Sequence, residues 1–321
     1  MDASSEPLVS IVIPTFERPA YFREALRSVV NQTYQNLDIF ITDNSHNEET
    51  KRIYEEEFAN DRRILYEHHP DFDAQQNWAR AIDYDNLDAP YVNWLMDDDL
   101  FFPDKIERMV KMFLQYPDVT LVTSVRQPID SEGNKITGAA LCKPFVSELT
   151  HMDGRDLGRY ILTNIKNMLG EPTTVMIKKS AMHNHRLGWT GKEGKYLVSD
   201  FPTWLCALSK GNCIYFPEPL SAFRVHAGQQ QRSLKTQLAC VIGWAMAIRE
   251  AIDRDIFLRD TKERRQSIIR WIAVATADFL DLPEEAWEWQ VTKDLHTVFV
   301  EMVAALRTGG PIAFDIDTGA V

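Results

Sequence analysis

Cysteine is scarce in this chain, four in 321 residues. Cys142, Cys206, Cys213 and Cys240 lack metal-type spacing, which excludes a zinc-ribbon design. The apolar neighbours of Cys206 and Cys213 predict buried free thiols in a reducing compartment. Long apolar runs are missing as well. A spanning helix needs about 20 apolar residues, and the best stretch, Ile268 to Leu282, is broken by Arg270, Asp278 and Asp281. Positive charge is in deficit: 35 Lys and Arg face 47 Asp and Glu, a formal net charge of −12. That balance disfavours general binding to nucleic acid or an anionic membrane, and a phosphorylated ligand then needs a local cation or a metal. The opening residues, Met1 to Glu6, are acidic and polar rather than leader-like. The expectation is a cytoplasmic protein without a transmembrane segment, with a peripheral station at the inner membrane face left open. No internal repeat or low-complexity tract is present.

The first 125 residues alternate strand and helix grammar. Val9-Ser10-Ile11-Val12-Ile13, Leu37 to Thr42, Tyr91 to Leu95 and Val119 to Val125 are β-branched or apolar runs. Between them, Tyr21/Phe22, Ala25/Leu26 and Val29/Val30 recur at helical spacing after Pro19. Ile106, Met109, Val110 and Phe113 do the same after Pro103. This alternation predicts an α/β fold with a mostly parallel central sheet flanked by helices. Further on, Asp130 to Asn134 reads as a hairpin turn and Thr173 to Ile177 as a strand. Asn212 to Phe216 and Ser221 to Val225 read as two more strands. From about Gln231 the pattern is helical, over Leu238 to Ile252, Lys262 to Leu280 and Glu284 to Leu306. The domain boundaries expected are 1–230 for an α/β domain, 231–307 for a helical region and 308–321 for a flexible tail.

Ligands of such sheets bind beyond the carboxyl ends of the strands. Three polar clusters fall there: Thr15-Phe16-Glu17, Asp43-Asn44-Ser45 and Asp97-Asp98-Asp99. Adjacent carboxylates repel, so the last triplet calls for a reason. A solvated acidic helix cap is one reading. A divalent cation bridging carboxylates to a phosphate is the other, and the three acidic strand ends on one rim favour it.

Val9 to Phe16, then Leu26-Arg27-Ser28-Val29-Val30-Asn31-Gln32-Thr33-Tyr34, then Ile41-Thr42-Asp43-Asn44-Ser45, closely resemble family 2 inverting glycosyltransferases with the GT-A fold. Asp97-Asp98-Asp99 stands where that family has its DxD metal motif. The resemblance covers residues 8 to about 230. It implies a nucleoside diphosphate sugar donor, UDP-hexose or UDP-N-acetylhexosamine foremost, and a glycan, lipid-linked or protein acceptor. It also implies Mn²⁺ or Mg²⁺ as cofactor. On that resemblance, Thr15 and Glu17 line the nucleoside pocket and Asp43 accepts from the pyrimidine ring. Asn77 and Arg80 stand near the nucleotide, Asp97 lies by the ribose, and Asp98 orients the donor. Asp99 ligates the metal, His226 joins it, and Arg224 of the Arg-x-His pattern reaches phosphate. Asp200, heading a helix in Ser199-Asp200-Phe201-Pro202, is the expected general base. Ser199 departs from the acidic residue the family often has there. Glu171 and Trp189 are weaker candidates for the acceptor site.

Two other classes stay open at this point. A non-catalytic nucleotide-sugar-binding scaffold on a decayed transferase would keep the fold, although the complete set Asp43, Asp97 to Asp99, Asp200 and His226 speaks against decay. A nucleotidyltransferase would carry a glycine-rich loop after the first strand, and Pro14 to Pro19 contains no glycine. The C-terminal tryptophans Trp244, Trp271, Trp287 and Trp289 lead to the expectation that these helices pack on the α/β domain or pair two copies of the chain.

Overall fold

The computed structural model describes residues 6–138, 143–184, 200–226 and 233–316. These form two compact units. The first holds 6–138, 143–152, 169–184 and 211–226; the second holds 153–168, 200–210 and 233–316.

The first unit is built on a sheet of nine strands among the described residues. β1 (Val9–Thr15) lies between β2 (Leu37–Asp43) and β4 (Tyr91–Trp94), parallel to both, and β3 (Ile64–His68) extends the parallel edge. β8 (Met176–Lys178) runs antiparallel between β4 and β6 (Val119–Ile129). β9 (Asn212–Arg224) pairs parallel with β6 and antiparallel with both β5 (Leu100–Phe101) and β7 (Thr150–Met152).

β1 and β2 are buried on both faces, so they read as nearly continuous apolar runs. Their alternate residues serve two layers. Ile11, Ile13, Ile39 and Ile41 join one core with Phe22, Ala25, Leu26 and Val29 of α1 (Pro19–Val30). Ile106, Met109, Val110 and Phe113 of α4 (Lys105–Gln115) complete it. Each of these side chains larger than alanine contributes roughly 1.5–3 kcal/mol when withdrawn from water. Phe40 points to the other layer, where Tyr84 stacks on it at 4.0 Å just past α3 (Ala74–Asp83). α2 (Glu49–Glu57) is a largely exposed helix beside α1.

Two predicted boundaries change. Asn212 to Phe216 and Ser221 to Val225 are one strand, β9, that runs through Pro217 and Pro219. The proline amides are tolerated because the register with β6 shifts between Ser124 and Arg126, opposite them. Thr173 and Thr174 are not strand residues. They form a turn with buried hydroxyls, and β8 begins only at Met176.

The second unit is helical: α5 (Gly154–Asn164), α6 (Asp200–Lys210), α7 (Leu234–Asp253), α8 (Thr261–Leu280) and α9 (Gln290–Thr308). Glu284–Glu288 is a separate short 3-10 helix rather than the start of α9. Trp271 is fully buried, and its indole donates to the Val241 carbonyl at 2.7 Å. Phe201 stacks on Trp244 at 4.1 Å. α5 and α6 thus group with the C-terminal helices although their sequence lies inside 1–230. Periodicity along the chain marks an element but not its packing partner. The stretch after Thr308, expected as a flexible tail, is anchored as far as it is described. Ile312 and Phe314 are buried, and Arg249 lies 4.1 Å over the Phe314 ring while donating to its carbonyl. No helix among the described residues is long and apolar enough to cross a membrane.

Candidate active site

The rim of the first unit gathers the carboxyl ends of β1, β2 and β4. Beyond β1 the backbone turns at Glu17, whose φ of 48° is left-handed. A residue bearing a Cβ meets a steric cost there, and such strain clusters at functional sites. The Glu17 amide donates to Ser45 Oγ at 2.8 Å, tying the β1 turn to the β2 turn. Asn77 of α3 bridges the same two strands. Its Oδ1 accepts from Thr42 Oγ1 at 2.7 Å and its Nδ2 donates to the Thr15 carbonyl at 3.3 Å.

Asp43 is fully buried at the end of β2. One carboxylate oxygen accepts from the Ser45 amide at 2.8 Å and the other from the Tyr66 hydroxyl at 2.5 Å. Burial, and then the hydrogen bond to Asp43, push the Tyr66 phenol far above its ordinary range, so it stays a donor. At the mouth of this corner Phe16 remains exposed and meets His46 edge to face at 5.6 Å.

The three aspartates after β4 have three different environments. Asp97 accepts from Thr15 Oγ1 at 2.9 Å, the Phe16 amide at 3.2 Å and Arg18 Nη1 at 3.0 Å. Burial first, then the charge of Asp98, raise its carboxyl to about 6, against the pull of Arg18. Asp98 Oδ2 receives Arg18 Nη1 at 3.3 Å and faces His226 Nε2 at 2.8 Å. Asp99 is turned inward and 1% exposed. Its oxygens accept from Thr173 Oγ1 at 2.6 Å and the Arg224 amide at 2.9 Å. Burial, and then the Asp98 charge, raise its carboxyl well above the usual range. Asp99, expected as the direct metal ligand, is the most deeply buried of the three, and each of its oxygens accepts a hydrogen bond from the protein, whereas Asp98 faces the imidazole of His226.

Three expected ligand contacts are internal ion pairs instead. Arg224 is fully buried. Its Nε donates to the Asp98 carbonyl at 2.8 Å, Nη1 to the Ser131 carbonyl at 3.1 Å and Nη2 to Glu24 at 2.5 Å, over the Tyr21 ring. It supports the Asp98 backbone from beneath and does not reach out to phosphate. Arg80 forms a two-pronged pair with Glu67 at 2.8 and 2.7 Å, over Phe40, so the nucleotide role expected of it is not where its charge is spent. Glu171, expected at an acceptor hydroxyl, is buried and bonded to Arg126. It follows Gly170, whose φ of 97° and close approach to Thr174 leave no room for a Cβ. This turn sets Thr173 against Asp99.

The structure therefore brings together Thr15, Glu17, Asp43, Asn77, Asp97, Asp98, Asp99 and His226. Asp200 is the first residue of α6 in the second unit, where an acidic side chain suits the helix dipole. Trp189 lies outside the described residues. Arg18, Thr173 and Tyr66 join the site unannounced. Only Arg18 left a signal, because an arginine directly before a helix-opening Pro19 is a poor N-cap.

Among the described residues no three His, Cys, Asp or Glu side chains converge on one point. Two protein ligands, one carboxylate and one imidazole, suit a divalent ion whose shell is completed by diphosphate oxygens and water.

Residues 10–184 match the model of Glycosyl transferase family 2. Protein CgeD of Bacillus subtilis (strain 168) is 30% identical over 129 residues, 38% of this chain and 30% of CgeD, so the match spans under a third of that relative. S. aureus TarS 1–349, solved in complex with UDP-GlcNAc, superposes with a TM-score of 0.58 at 13% identity, over 98% of this chain and 95% of that one. The mannosyltransferase PcManGT from Pyrobaculum calidifontis, in complex with GDP-Man and Mn²⁺, gives 0.50 at 12% identity, over 95% and 88%. At these identities the structures establish the GT-A-like fold. The sequence match extends over more than half of the chain, which belongs to the Glycosyl transferase family 2.

Proposed function

We propose that this chain is an inverting, metal-assisted transferase. It moves a hexose or N-acetylhexosamine from a UDP-sugar to a glycan, lipid-linked or protein acceptor. The observation that carries the reading is the division of labour in the triplet. Asp97 is held to β1 by Thr15, Asp99 is built into the protein, and Asp98 is left facing His226 on the rim that also holds Asp43. UDP is the nucleotide favoured because a fold neighbour was solved with UDP-GlcNAc; another was solved with GDP-Man and Mn²⁺.

In this reading Asp43 and Thr15 line the nucleoside pocket, with Glu17 and Phe16 at its mouth, and Asp97 lies by the ribose. Asp98 and His226 would hold Mn²⁺ or Mg²⁺. When bound, the ion balances the charge on the departing diphosphate. Arg18, the cation beside these carboxylates, adds positive charge on the same side. Asp200 takes the proton from the acceptor hydroxyl as that oxygen attacks the anomeric carbon and the bond to the diphosphate breaks.

The test is nucleotide release from a panel of UDP-, GDP- and dTDP-sugars with Mn²⁺. Release from a UDP-sugar supports the reading. Absence of release from every donor, together with absence of metal-dependent nucleotide binding, overturns it and favours a binding scaffold.

A further inference from the structure

Arg18 violates the local rules of its position. It is the N-cap residue of α1, where Ser, Thr, Asp or Asn would accept from the first-turn amides. Arg18 makes no side-chain cap, sets a positive charge at the positive end of the helix dipole, and has no acidic residue in the first turn to offset it. The preceding Glu17 is held in a left-handed conformation, and the following Pro19 fixes the first helical φ. These choices do not favour the helix. They aim a guanidinium at the triplet: Nη1 lies 3.0 Å from Asp97 Oδ1 and 3.3 Å from Asp98 Oδ2. Local misfit of this kind marks a residue kept for something other than its own element.

We propose that Arg18 is a resident counter-cation that holds Asp98 in the metal-free protein, that an arriving divalent ion displaces, and that then turns to the diphosphate. The proposal rests on the reading of Asp98 and His226 as the ion's ligands. A carboxylate oxygen offers two lone-pair directions, and Asp98 Oδ2 is already shared between Arg18 and His226. An ion that takes this oxygen must loosen one of them. His226 is itself a ligand for such an ion, whereas a guanidinium cannot be one, so Arg18 gives way. The freed guanidinium keeps Asp97 and gains a phosphate partner only when nucleotide is present. Ion alone therefore binds weakly, and ion and diphosphate bind better together than either alone.

The test measures Mn²⁺ binding to the full chain by electron paramagnetic resonance of the free ion, first without and then with UDP. Wild type is compared with Arg18→Met, which keeps length and removes charge. Arg18→Met is expected to bind Mn²⁺ alone about two- to fivefold more tightly, the scale of one partly exposed ion pair. It should also lose most of the enhancement that UDP confers on the wild type. Unchanged or weaker Mn²⁺ binding by folded Arg18→Met overturns the proposal. Should that variant not fold, Arg18→Gln decides, because it keeps a polar side chain at this position and removes the charge that faces both carboxylates. Its Mn²⁺ affinity should rise above wild type, and an unchanged value overturns the proposal. A wild type with no Mn²⁺-dependent UDP binding removes the ion-site reading itself, an outcome distinct from the failure of Arg18.

Discussion

His226 Nε2 stands 2.8 Å from Asp98 Oδ2, although the two residues are 128 positions apart. β9 delivers the histidine by ending two residues before it, antiparallel to the β5 strand that follows the triplet. In the proposed reading this imidazole and this carboxylate are the two protein ligands of the ion. His226→Asn is expected to weaken Mn²⁺-dependent UDP binding about ten- to a hundredfold, the range typical of losing a group that holds or orients a metal. Calorimetric titration of UDP with Mn²⁺ present and absent checks this; the metal-free affinity should not move.

Arg224 should behave as a structural residue. It is fully buried and serves the Asp98 and Ser131 carbonyls and the Glu24 carboxylate. Arg224→Met leaves those acceptors stranded and is expected to cost about 3 kcal/mol of folding stability. Denaturant unfolding reads this directly. A variant of native stability with lost donor affinity would instead restore the phosphate contact.

Asp97 makes the metal-free protein sensitive to acid in an unusual direction. Its carboxyl is raised from 3.8 to about 6 by burial and by Asp98. The native state therefore binds this proton more tightly than the unfolded chain. The resulting stability is present in full below the unfolded value and is lost as pH rises through the folded one. In EDTA, thermal melts across pH 4 to about 7 should show the wild type falling relative to Asp97→Asn as pH rises. A gap that stays constant over that range would refute the shift.

Asp200→Asn tests the assignment of the base. Transfer to acceptor should fall about 10²- to 10⁴-fold, the usual contribution of a positioned general base. Mn²⁺-dependent UDP binding should stay within about twofold of wild type. Loss of donor binding would move Asp200 out of the proton-transfer role.

Much of the first unit was legible because its physics is local. The β-branched runs of β1 and β2 and the apolar stripes of α1 and α4 announce buried strands and one-sided helices. The polar strand ends then had to share a rim. Pairing was not legible. Arg80 and Arg224 look alike as cations for a diphosphate, yet their partners Glu67 and Glu24 lie 13 and 200 positions away. The three aspartates are chemically identical neighbours. Only the approach of Thr15, of Thr173 and of β9 separates an aspartate held to β1, one that faces His226 and an internal anchor. The strand through Pro217 and Pro219 was hidden because a bulge in the β6 register makes room for prolines that would otherwise end it.

The direct measurement is UDP affinity with and without Mn²⁺ for wild type, Asp98→Asn and Asp99→Asn. The expected result is Mn²⁺-dependent binding in the wild type that disappears in Asp98→Asn. In Asp99→Asn it should survive at reduced folding stability, since Thr173 and the Arg224 amide, not an ion, occupy that carboxylate. Mn²⁺ dependence that persists in Asp98→Asn, or that is lost only in a stably folded Asp99→Asn, would contradict the assignment of the outward aspartate as the ligand.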